Sequence, residues 1–573
     1  MSYWKTDLAD INFNLFKVLN SQEFSSEMGD TDLAEILREL DKFSENEIWP
    51  ARMPSDEQGC HLTAEGVKVP EVLKNGHNQF YANGWYALGV KEDFGGMEVP
   101  EAVNFAGQSI INAANSAWAM YPGLTKAAMN VIIQKGSDKQ KEIFVTKMME
   151  GSFGGTMCLT EAGAGSDVGA LRTTATPNDD GSYNINGVKI FISSGENDLY
   201  ENIVHLVLAR TPDAPAGTKG LSLFVVPRYL VNEDGSNGAS NDVICTKVEE
   251  KMGIHCNATC ELTFGQNGNC KGELIGEIGE GMSTMFIMMN EARLLCGIQG
   301  EGQAHIAYEM SKKYASERVQ FGTEIDKHMD IKRMLLKMRA NTRGMRALCL
   351  YTANCFDIAH KDENYEKLIA LLTPICKAYC SEEGFNVSVD ALQIHGGYGF
   401  CTEYGIEQFV RDTKITTIYE GTNGIQALDF VMRKVLKDQG ATLKFMTGLI
   451  MSFMGKLDDD LSTEKALFEK VLGSAQTVMD KFAKKAMDKD FNGILQHCTD
   501  FLLFSSQLVI AWRLGESALK AQEMLPSASG EEKKFLESKI VDFKTYCGAY
   551  LIHNLSIAKT ITDYEQNLAS LEL

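Results

Sequence analysis

The stretch TTIYEGTNGIQ, which begins at Thr416 and ends at Gln426, sets one carboxylate, Glu420, between a β-branched and aromatic run and a glycine-containing loop. Such a carboxylate is either solvated in its loop or held as a base against a group that reacts. Because glutamates are seldom buried without a partner, a single one is usually solvated. The other motifs of the chain therefore decide between the two interpretations.

Two glycine-rich segments contain residue types that can bind a phosphate or a flat ring. TEAGAGSD offers glycines for close backbone approach and the hydroxyls of Thr160 and Ser166. QIHGGYGF, which begins at Gln393, has two adjacent glycines, Gly396 and Gly397, whose N–H groups can face phosphates. Taken singly, the first segment also fits a flexible loop and the second an ordinary connection between helices.

Three further groups of residues could take part in binding. RVQFG, from Arg318 to Gly322, combines a guanidinium, an amide and an aromatic ring, which can hold a pyrophosphate or an adenine, although a solvated helix end looks the same. Arg293, in the apolar run MMNEARLL, must be paired or face a cavity. His255, Cys256 and Cys260 have the residue types of a metal site, but their segment is typical of a strand entry, and we predict no metal there.

The spacing of apolar residues predicts the elements that position these motifs. Up to about residue 155 the spacing is helical, with Ser137 as the N-cap of SDKQKEIFVTKMMEG and Gly151 as its stop. From about 156 to 270, alternating runs predict strands in YNINGVKIFIS, IVHLVLAR, LSLFVVP, VICTKVEE and ATCELTF. Asn186-Gly187 predicts a type I′ hairpin turn inside the first of these runs.

Helical spacing returns after the strand-rich segment. It lasts to about 435, with Thr373-Pro374 as an N-cap followed by proline at the first helical position, and it resumes from about 440. This order predicts an α+β protein with an N-terminal helical domain, a central antiparallel β domain, a C-terminal four-helix-bundle-like domain and an extra helical C-terminal domain. The predicted boundaries are 1–60 for an N-terminal helical extension, 61–155 for the N-terminal α domain, 156–275 for the middle β domain, 276–438 for the helical bundle domain and 439–573 for the additional helical domain.

The composition of the 573-residue chain excludes several classes of function. A formal net charge of -22 disfavours binding to nucleic-acid backbones, so an anionic ligand needs local basic groups or backbone N–H nests. We find no run of about 18 or more uncharged apolar residues that predicts a membrane span, and the start, MSYWKTDLAD, does not have the pattern of a secretory signal. The 14 cysteines fall singly, which favours reduced thiols and a cytoplasmic location.

The motifs TEAGAGSD, FISSG, RVQFG, QIHGGYGF and IYEGT occur together and in this order, and on them the chain resembles the acyl-CoA dehydrogenase family of flavoenzymes. The resemblance covers roughly residues 60 to 435. The segments EKMGIH and MMNEAR, together with the chain beyond 440, are similar to the extended branch of that family, to which the 3-methylthiopropanoyl-CoA and long-chain-type dehydrogenases belong.

The resemblance implies an enzyme that uses FAD to oxidise an acyl-CoA thioester to the trans-2-enoyl-CoA, in fatty-acid or related acyl-CoA catabolism. Glu420 stands where the family has the base that takes the α-proton, while a hydride leaves the β-carbon for flavin N5. The thioester oxygen gains negative charge, which in the family is met by the backbone N–H of the base and a ribityl hydroxyl. The run ITTIY would help to desolvate Glu420 and raise its pKa, and the glycine after it leaves room for flavin and substrate.

The resemblance also implies the binding residues. Positions that match FAD contacts are Leu159, Thr160, Phe191, Ser193, Arg318, Gln320, Phe321, Gln393, Gly396, Gly397 and Thr422. Positions that match substrate contacts are Ser166, Arg293, Tyr419 and Gly421. In the family, the RVQFG and QIHGGYGF segments reach the FAD of a neighbouring subunit, which implies a homo-oligomer. If the extra helical domain replaces a second pair of subunits, the oligomer is a dimer.

Some positions depart from the smaller members of the family. Gly424 stands where a polar side chain is common, so an FAD contact there would be through the backbone. Met289 and Asn290 stand where an aromatic residue and an acid are common, and Met329 where a glutamine lies near FAD. The contacts made in the smaller members are therefore not transferred to these positions, and the departures fit the extended branch.

The partners that the resemblance implies are the acyl-CoA substrate and an electron-transferring flavoprotein as the electron acceptor. Two alternatives remain open at this point. One is an acyl-CoA oxidase, which passes electrons to oxygen and also has a second helical C-terminal domain. The other is a non-catalytic acyl-CoA-binding scaffold, which the presence of Glu420 in its full motif disfavours. The sequence does not reveal the length or branching of the acyl chain.

Overall fold

The computed structural model describes residues 3–232, 234–564 and 568–572, and the chain folds into two compact units. The helical unit consists of Met1–Glu39, Val99–Ala113 and Arg293–Leu573, and the β unit consists of Leu40–Glu98 and Ala114–Ala292. The candidate base Glu420 belongs to the helical unit, and the TEAGAGSD and FISSG segments belong to the β unit.

Helices form most of the helical unit and the first part of the β unit. In chain order they are α1 (Leu8–Asn12), α2 (Asp30–Phe43), α3 (Arg52–Gln58), α4 (Val72–Ala82), α5 (Glu101–Lys135), α6 (Asp138–Gln140), α7 (Thr146–Met149), α8 (Gly281–Glu317), α9 (Met329–Ala359), α10 (Asn364–His395), α11 (Glu407–Lys414), α12 (Asn423–Leu428), α13 (Ala441–Met454), α14 (Ser462–Met487), α15 (Phe491–Leu495), α16 (Cys498–Met524), α17 (Gly530–Ala549) and α18 (Asn554–Asp563). The predicted N-cap Ser137 is confirmed, because its hydroxyl accepts the Gln140 N–H while the Gln140 side chain accepts the Ser137 N–H.

Most strands belong to the β unit and form one main sheet. In chain order the strands are β1 (His61–Thr63), β2 (Gly66–Lys68), β3 (Phe153–Cys158), β4 (Thr174–Pro177), β5 (Tyr183–Ser193), β6 (Asn202–Arg210), β7 (Leu221–Pro227), β8 (Tyr229–Val231), β9 (Asn237–Ser240), β10 (Val243–Val248), β11 (Thr259–Phe264), β12 (Lys271–Ile275), β13 (Val319–Gln320) and β14 (Thr323–Glu324). The main sheet has the order β10-β11-β5-β12-β7-β6-β3, and β4 pairs with β5 and β6. The strands predicted from the alternating runs are confirmed. The sheet is largely antiparallel, although β6 runs parallel to β3 and β4.

The predicted hairpin turn at Asn186-Gly187 is wrong, because both residues lie inside β5. Gly187 meets a different need there, since a Cβ atom at this position would lie 2.3 Å from Thr173 Oγ1. Asn186 pairs with Thr174 of β4 at the same point. A glycine inside a strand can thus mark a close approach between neighbouring segments as well as a turn.

A β-bulge further along β5 changes the direction of its side chains. Between the pairs Lys189–Leu262 and Ile192–Cys260, β5 carries two residues and β11 carries one. Phe191, in the bulge, has a φ of +57° and is 59% exposed, whereas Lys189 and Ile192 are buried. The bulge therefore presents an aromatic ring on one face of β5 while a lysine is held inside the domain.

The predicted helix start at Thr373-Pro374 is also wrong, since both residues lie within α10 and are buried. Thr373 Oγ1 donates to the carbonyl of Ile369 (2.8 Å), so its hydroxyl is satisfied inside the helix and does not cap a helix start. Within the helical unit α10 packs against α9, α11, α12 and α16. This packing outweighs the local tendency of proline to begin a helix rather than continue one.

The helices after residue 440 pack onto the bundle inside the helical unit. There α16 and α17 contact each other and α9, while α14 contacts α18. At the start of the chain, Phe13 packs with Ala521 and Leu536. The predicted α+β fold class with an extra helical C-terminal domain is confirmed. The five predicted domain boundaries stay a prediction.

The described part of the chain lacks a helix that combines the length and the apolar character needed to cross a membrane. In the segment considered for a metal, His255 Nδ1 lies 2.9 Å from Asp56 Oδ1, and Nε2 lies 2.6 Å from the Lys251 carbonyl oxygen. Among the described residues, no group of three or more histidine, cysteine, aspartate or glutamate side chains is arranged to hold a metal ion.

Candidate active site

Glu420 lies between α11 and α12 on a backbone conformation that side chains rarely adopt. Its φ is +57°, in the left-handed region, which costs a non-glycine residue roughly 1–2 kcal/mol. Gly421 follows with a φ of +82°, which glycine adopts without strain. The side-chain amide of Gln426 donates to the carbonyls of Glu420 (2.9 Å) and Gly421 (3.3 Å) and so holds both peptides. Such strain tends to persist where the fold fixes a side chain for a role.

The carboxyl group of Glu420 is desolvated. Although the residue as a whole is partly exposed, its Oε2 atom is buried and accepts no hydrogen bond from the described residues. Burial raises the pKa of Glu420, and the positive charges of Arg293 and Lys377 offset only part of this rise. When ionised, a carboxylate in this environment is a stronger base than a solvated glutamate.

The run before Glu420 faces inwards only in part. Thr416 and Thr417 are buried, whereas Ile418 is exposed. Tyr419 donates its hydroxyl to Gln299 Oε1, and burial raises the pKa of this tyrosine well above its usual value. The side chain of Ile418, which the sequence placed in the apolar approach to the base, therefore points largely to solvent.

Two predicted binding residues next to Glu420 also have structural partners. Arg293 is buried and lies 3.3 Å from Asp429 (Nη1 to Oδ2), which confirms the expectation that it is paired or faces a cavity. Thr422 caps α12, with its hydroxyl oxygen accepting the Ile425 N–H (3.2 Å). The loop that carries Glu420 is therefore fixed on both sides.

Four of the predicted cofactor residues line one groove of the helical unit. Arg318, Gln320, Gly396 and Gly397 all contribute to a groove of about 520 Å³. The guanidinium of Arg318 lies 5.3 Å above the ring of Tyr398, which orients it in the groove. A cation, an amide and glycine backbone thus meet in one concave surface.

The glycine loop leaves this groove open. Gly396 ends α10 with a φ of +62°, and a Cβ atom at either Gly396 or Gly397 would meet nothing within 4 Å. Gln393 and Phe321 are both exposed, and Phe321 is 97% exposed. The ring of Phe321, next to Gln320 in the chain, is therefore almost fully exposed and has His328 as an edge-on neighbour at 6.0 Å.

In the β unit, the segment that carries Leu159 and Thr160 is tied to β5. The Ile190 N–H donates to the Thr160 carbonyl (2.9 Å), and Lys189 Nζ donates to the Leu159 carbonyl (2.9 Å). Two of the predicted FAD contacts, Phe191 and Ser193, follow directly on the same strand. The structure thus brings four predicted flavin contacts together at one end of β5.

A buried ion pair supports this arrangement. Lys189 Nζ also lies 2.9 Å from Glu161 Oε1, and Glu161 further accepts the Thr173 hydroxyl (2.6 Å) and the Arg172 N–H (2.7 Å). Burial opposes the charge on Glu161, but Lys189 and these hydrogen bonds lower its pKa to about 2. Ser166, by contrast, is exposed and lies outside this cluster.

We expect Lys189→Met to destabilise the β unit by about 3–5 kcal/mol, because it leaves the Glu161 carboxylate buried without its cation. Adding Glu161→Gln should recover part of this loss, because the buried charge is then removed while an acceptor remains for the Thr173 hydroxyl and the Arg172 N–H. The thermal unfolding midpoint checks both expectations. Lys271→Met is the matched control, since Lys271 pairs with Asp180 (3.0 Å) on the surface. A double variant less stable than Lys189→Met alone would contradict the role of the ion pair.

Several residues of the site were not found from the sequence. They are Glu161, Lys189, Gln299, Lys377, Asn423, Gln426 and Asp429. Lys189 and Lys377 did leave a signal, because each is a cation inside an apolar run, VKIFIS and PICKAYC. Such a residue must be paired when its run is buried.

Consecutive segments of the chain match models of one enzyme family. Residues 30–152, 156–266 and 279–436 match the N-terminal, middle and C-terminal domains of acyl-CoA dehydrogenase, and 438–572 match a domain described as acetyl-CoA dehydrogenase C-terminal like. The chain belongs to the acyl-CoA dehydrogenase family, whose members are oxidoreductases that bind FAD.

Relatives of similar length carry the same extra C-terminal part. The 3-methylmercaptopropionyl-CoA dehydrogenase of Ruegeria pomeroyi is 37% identical, with 96% of this chain and 95% of the relative covered. The broad-specificity linear acyl-CoA dehydrogenase FadE5 of Mycobacterium tuberculosis is 35% identical, with 100% and 99% covered. The structure of Caenorhabditis elegans ACDH-11 in complex with C11-CoA has the same fold, with a TM-score of 0.76, 18% identity, and 99% of this chain and 98% of that chain covered.

The residues present suit FAD. The groove offers a guanidinium and glycine N–H groups, which are the donors that a pyrophosphate requires. The bulge on β5 exposes the ring of Phe191 where a flat aromatic ligand can stack. Both features fit a flavin dinucleotide.

Proposed function

We propose that this protein oxidises an acyl-CoA thioester to the trans-2-enoyl-CoA, in fatty-acid or related acyl-CoA catabolism. The observation that carries the proposal is the buried carboxylate oxygen of Glu420, which accepts no hydrogen bond from the described residues and sits on a strained loop. A desolvated acid without a partner is costly to the fold, and such groups cluster where a base is needed.

In this proposal Glu420 takes the α-proton of the thioester. An α C–H is a weak acid, so the carboxylate must be both basic and fixed in direction. Burial raises the pKa of Glu420 and so makes its carboxylate more basic. The hydrogen bond from Gln426 to the Glu420 carbonyl fixes the loop and so the direction of the side chain. The Glu420 N–H is the proposed donor to the thioester oxygen, which becomes more negative as the proton leaves.

Other residues of the chain orient the two ligands. We assign substrate contacts to Ser166, Arg293, Tyr419 and Gly421, as the family pattern implies. FAD, when bound, supplies the acceptor for the two electrons that leave the substrate as a hydride. Its proposed contacts on the β unit are Leu159, Thr160, Phe191 and Ser193, with Thr422 next to the base.

The proposed enzyme is a homodimer. Arg318, Gln320, Phe321, Gln393, Gly396 and Gly397 would hold the FAD of the second subunit, which would also cover the exposed ring of Phe321. The helices after residue 440 would take the place of a second subunit pair. A tetrameric mass in sedimentation equilibrium would contradict this assembly.

We propose an electron-transferring flavoprotein as the acceptor. The names of the two curated relatives support a dehydrogenase rather than an oxidase. Peroxide formed in air at the rate of substrate oxidation would instead favour the oxidase. The cytoplasmic location stays a prediction.

The experiment that tests the function is an anaerobic spectral titration of the purified holoenzyme with saturated acyl-CoA esters of several chain lengths. We expect one or more esters to bleach the oxidised flavin band, and the order of bleaching ranks the substrates. A bound flavin that none of these esters bleaches would contradict the proposed substrate class. A protein that binds no flavin, even with FAD added, would contradict the proposed reaction.

A further inference from the structure

The side chain of Asn423, just after the loop that carries Glu420, forms several hydrogen bonds to α10. Asn423 Oδ1 accepts hydrogen bonds from Lys377 Nζ (2.8 Å) and Ser381 Oγ (3.2 Å). Asn423 Nδ2 donates to the carbonyl of Ala378 (3.3 Å) and to Glu382 Oε2 (3.3 Å). Both ends of this amide are therefore used to fix the start of α12, three residues after the candidate base.

The cation in this arrangement is unusually placed. Lys377 has 0% exposure, and in the described part of the chain its ammonium forms no ion pair with a carboxylate and donates to Asn423 Oδ1. Its hydrogen bond goes to a neutral amide instead. Burial lowers the pKa of Lys377, whereas Cys296 and Glu420 act in the opposite direction. A buried lysine without a carboxylate partner lowers the stability of the fold, so its presence at this position calls for a functional explanation.

We propose that Lys377 and Asn423 are positioning residues for Glu420, in which the Lys377 ammonium holds Asn423 and presents positive charge to the carboxylate. This inference rests on the proposed function. Asn423 fixes the backbone after Glu420, so that the strained φ of Glu420 does not relax to a more favourable value. The ammonium favours the ionised form of Glu420, which is the form that accepts a proton.

Two cations are among the groups that face Glu420, and Lys377 is the one without an acidic partner among the described residues. These groups are Arg293 and Cys296 on α8, Lys377 on α10, and Tyr419 in the loop. Arg293 is compensated by Asp429 at 3.3 Å, whereas Lys377 is bound to a neutral partner. The charge of Lys377 is therefore the less neutralised of the two cations that act on the base.

The first test measures the rate of flavin bleaching by acyl-CoA in the holoenzyme at several pH values. Lys377→Met should move the acid limb of the profile to higher pH, so that bleaching slows about tenfold more at pH 6 than at pH 9, where the loss of the hydrogen bond to Asn423 remains. Asn423→Ala should instead slow bleaching by about tenfold at every pH, because the base is less well placed. FAD content and the Kd for acyl-CoA should change little in both.

Controls separate positioning from general damage. Lys367→Met, an exposed lysine on the same helix, should behave as the wild type, and Lys377→Arg should restore much of the acid limb. An unshifted profile in Lys377→Met, or an equal loss of FAD binding and rate, would overturn the inference. A wild type that no acyl-CoA bleaches would instead count against the proposed function.

A second test needs no turnover. Glu420→Gln should raise the thermal midpoint of the Lys377→Met protein by more than it raises that of the wild type at pH 7, because without the ammonium the buried carboxylate is costlier. Equal increments in the two backgrounds would overturn the inference. If Lys377→Met does not fold, the same comparison in Lys377→Arg and Asn423→Ala decides. The increment should then match the wild type in Lys377→Arg, and an increment unlike the wild type there would overturn it.

Discussion

Glu420→Gln is expected to bind FAD and acyl-CoA as the wild type does, and to bleach its flavin with acyl-CoA about 100- to 10,000-fold more slowly. The substitution keeps the shape of the side chain and the backbone N–H, so the proposed contact to the thioester oxygen survives. It removes the carboxylate that accepts the α-proton. Rapid mixing under anaerobic conditions, with the flavin band as the signal, measures the loss directly.

The same variant should be no less stable than the wild type. Because burial raises the pKa of Glu420, ionisation of this residue costs stability, and the cost appears as pH rises above the ordinary pKa of glutamate, about 4.3. Glutamine carries no charge, so the variant should have the higher thermal midpoint at pH 7 and lose this advantage in acid. A gain in stability together with a loss of rate is the pattern expected of a functional residue that is strained and desolvated.

Glu403→Gln provides the matched control, because Glu403 is exposed in the short 3-10 helix Thr402–Tyr404 of the same unit. It should change neither the bleaching rate nor the thermal midpoint. Glu420→Gln with near-normal turnover would show that the proton goes to another group. Loss of bound FAD in Glu420→Gln would also weaken the assignment, since the slow rate would then have a different cause.

The parts of this structure that could be predicted from the sequence are those set by local chemistry. The strand runs and the Ser137 cap were confirmed, because alternation and capping residues act over a few neighbouring positions. The motif around Glu420 was visible because it sets one carboxylate between a β-branched and aromatic run and a glycine-containing loop, in a fixed order with the other motifs. What the carboxylate does within that motif stays a proposal.

Non-local packing accounts for what the sequence did not reveal. Gly187 is required by Thr173, which lies on a different segment, so the glycine was mistaken for a turn. Pro374 continues a helix because α10 is packed on several sides. Lys377 and Asn423 are 46 residues apart in the chain, and only the fold reveals that they are hydrogen-bonded. The supporting residues of a site are thus harder to predict than the residue they support.

A second buried cluster joins the first helix, the bundle and the additional C-terminal helices of the helical unit. Arg346 on α9 lies 2.9 Å from Asp10 on α1 and 2.8 Å from Glu301 on α8, and Lys539 on α17 forms an ion pair with the same Asp10. Arg346 is 2% exposed. Four helices, among them α1 and α17 from opposite ends of the chain, therefore meet at the side chains of Arg346 and Asp10.

Arg346→Met is expected to destabilise the helical unit by about 3–5 kcal/mol, because it leaves Glu301 without its cation and Asp10 with Lys539 and the more distant Arg343. Burial opposes the charge on Asp10, but Lys539, Arg343 and Arg346 together lower its pKa. The ionised Asp10 carboxylate thus stabilises the fold above the ordinary pKa of aspartate, about 3.9. This stabilisation is lost as pH falls through the lower pKa that Asp10 has in the folded protein.

The penalty in Arg346→Met should accordingly be largest at neutral pH and shrink only below the ordinary pKa of aspartate, which thermal unfolding at pH 7 and pH 2 can measure. Arg333→Met is the control on the same helix, since Arg333 and its partner Asp330 are both exposed and their pair should matter little. Because Asp10 and Lys539 lie on helices at opposite ends of the chain, a loss of this size would mean that the C-terminal helices fold together with the bundle. If Arg346→Met melted at the wild-type temperature, the ion pairs of this cluster would contribute nothing to the free energy of unfolding. The contacts of α16 and α17 with α9 would then suffice to hold these helices in place.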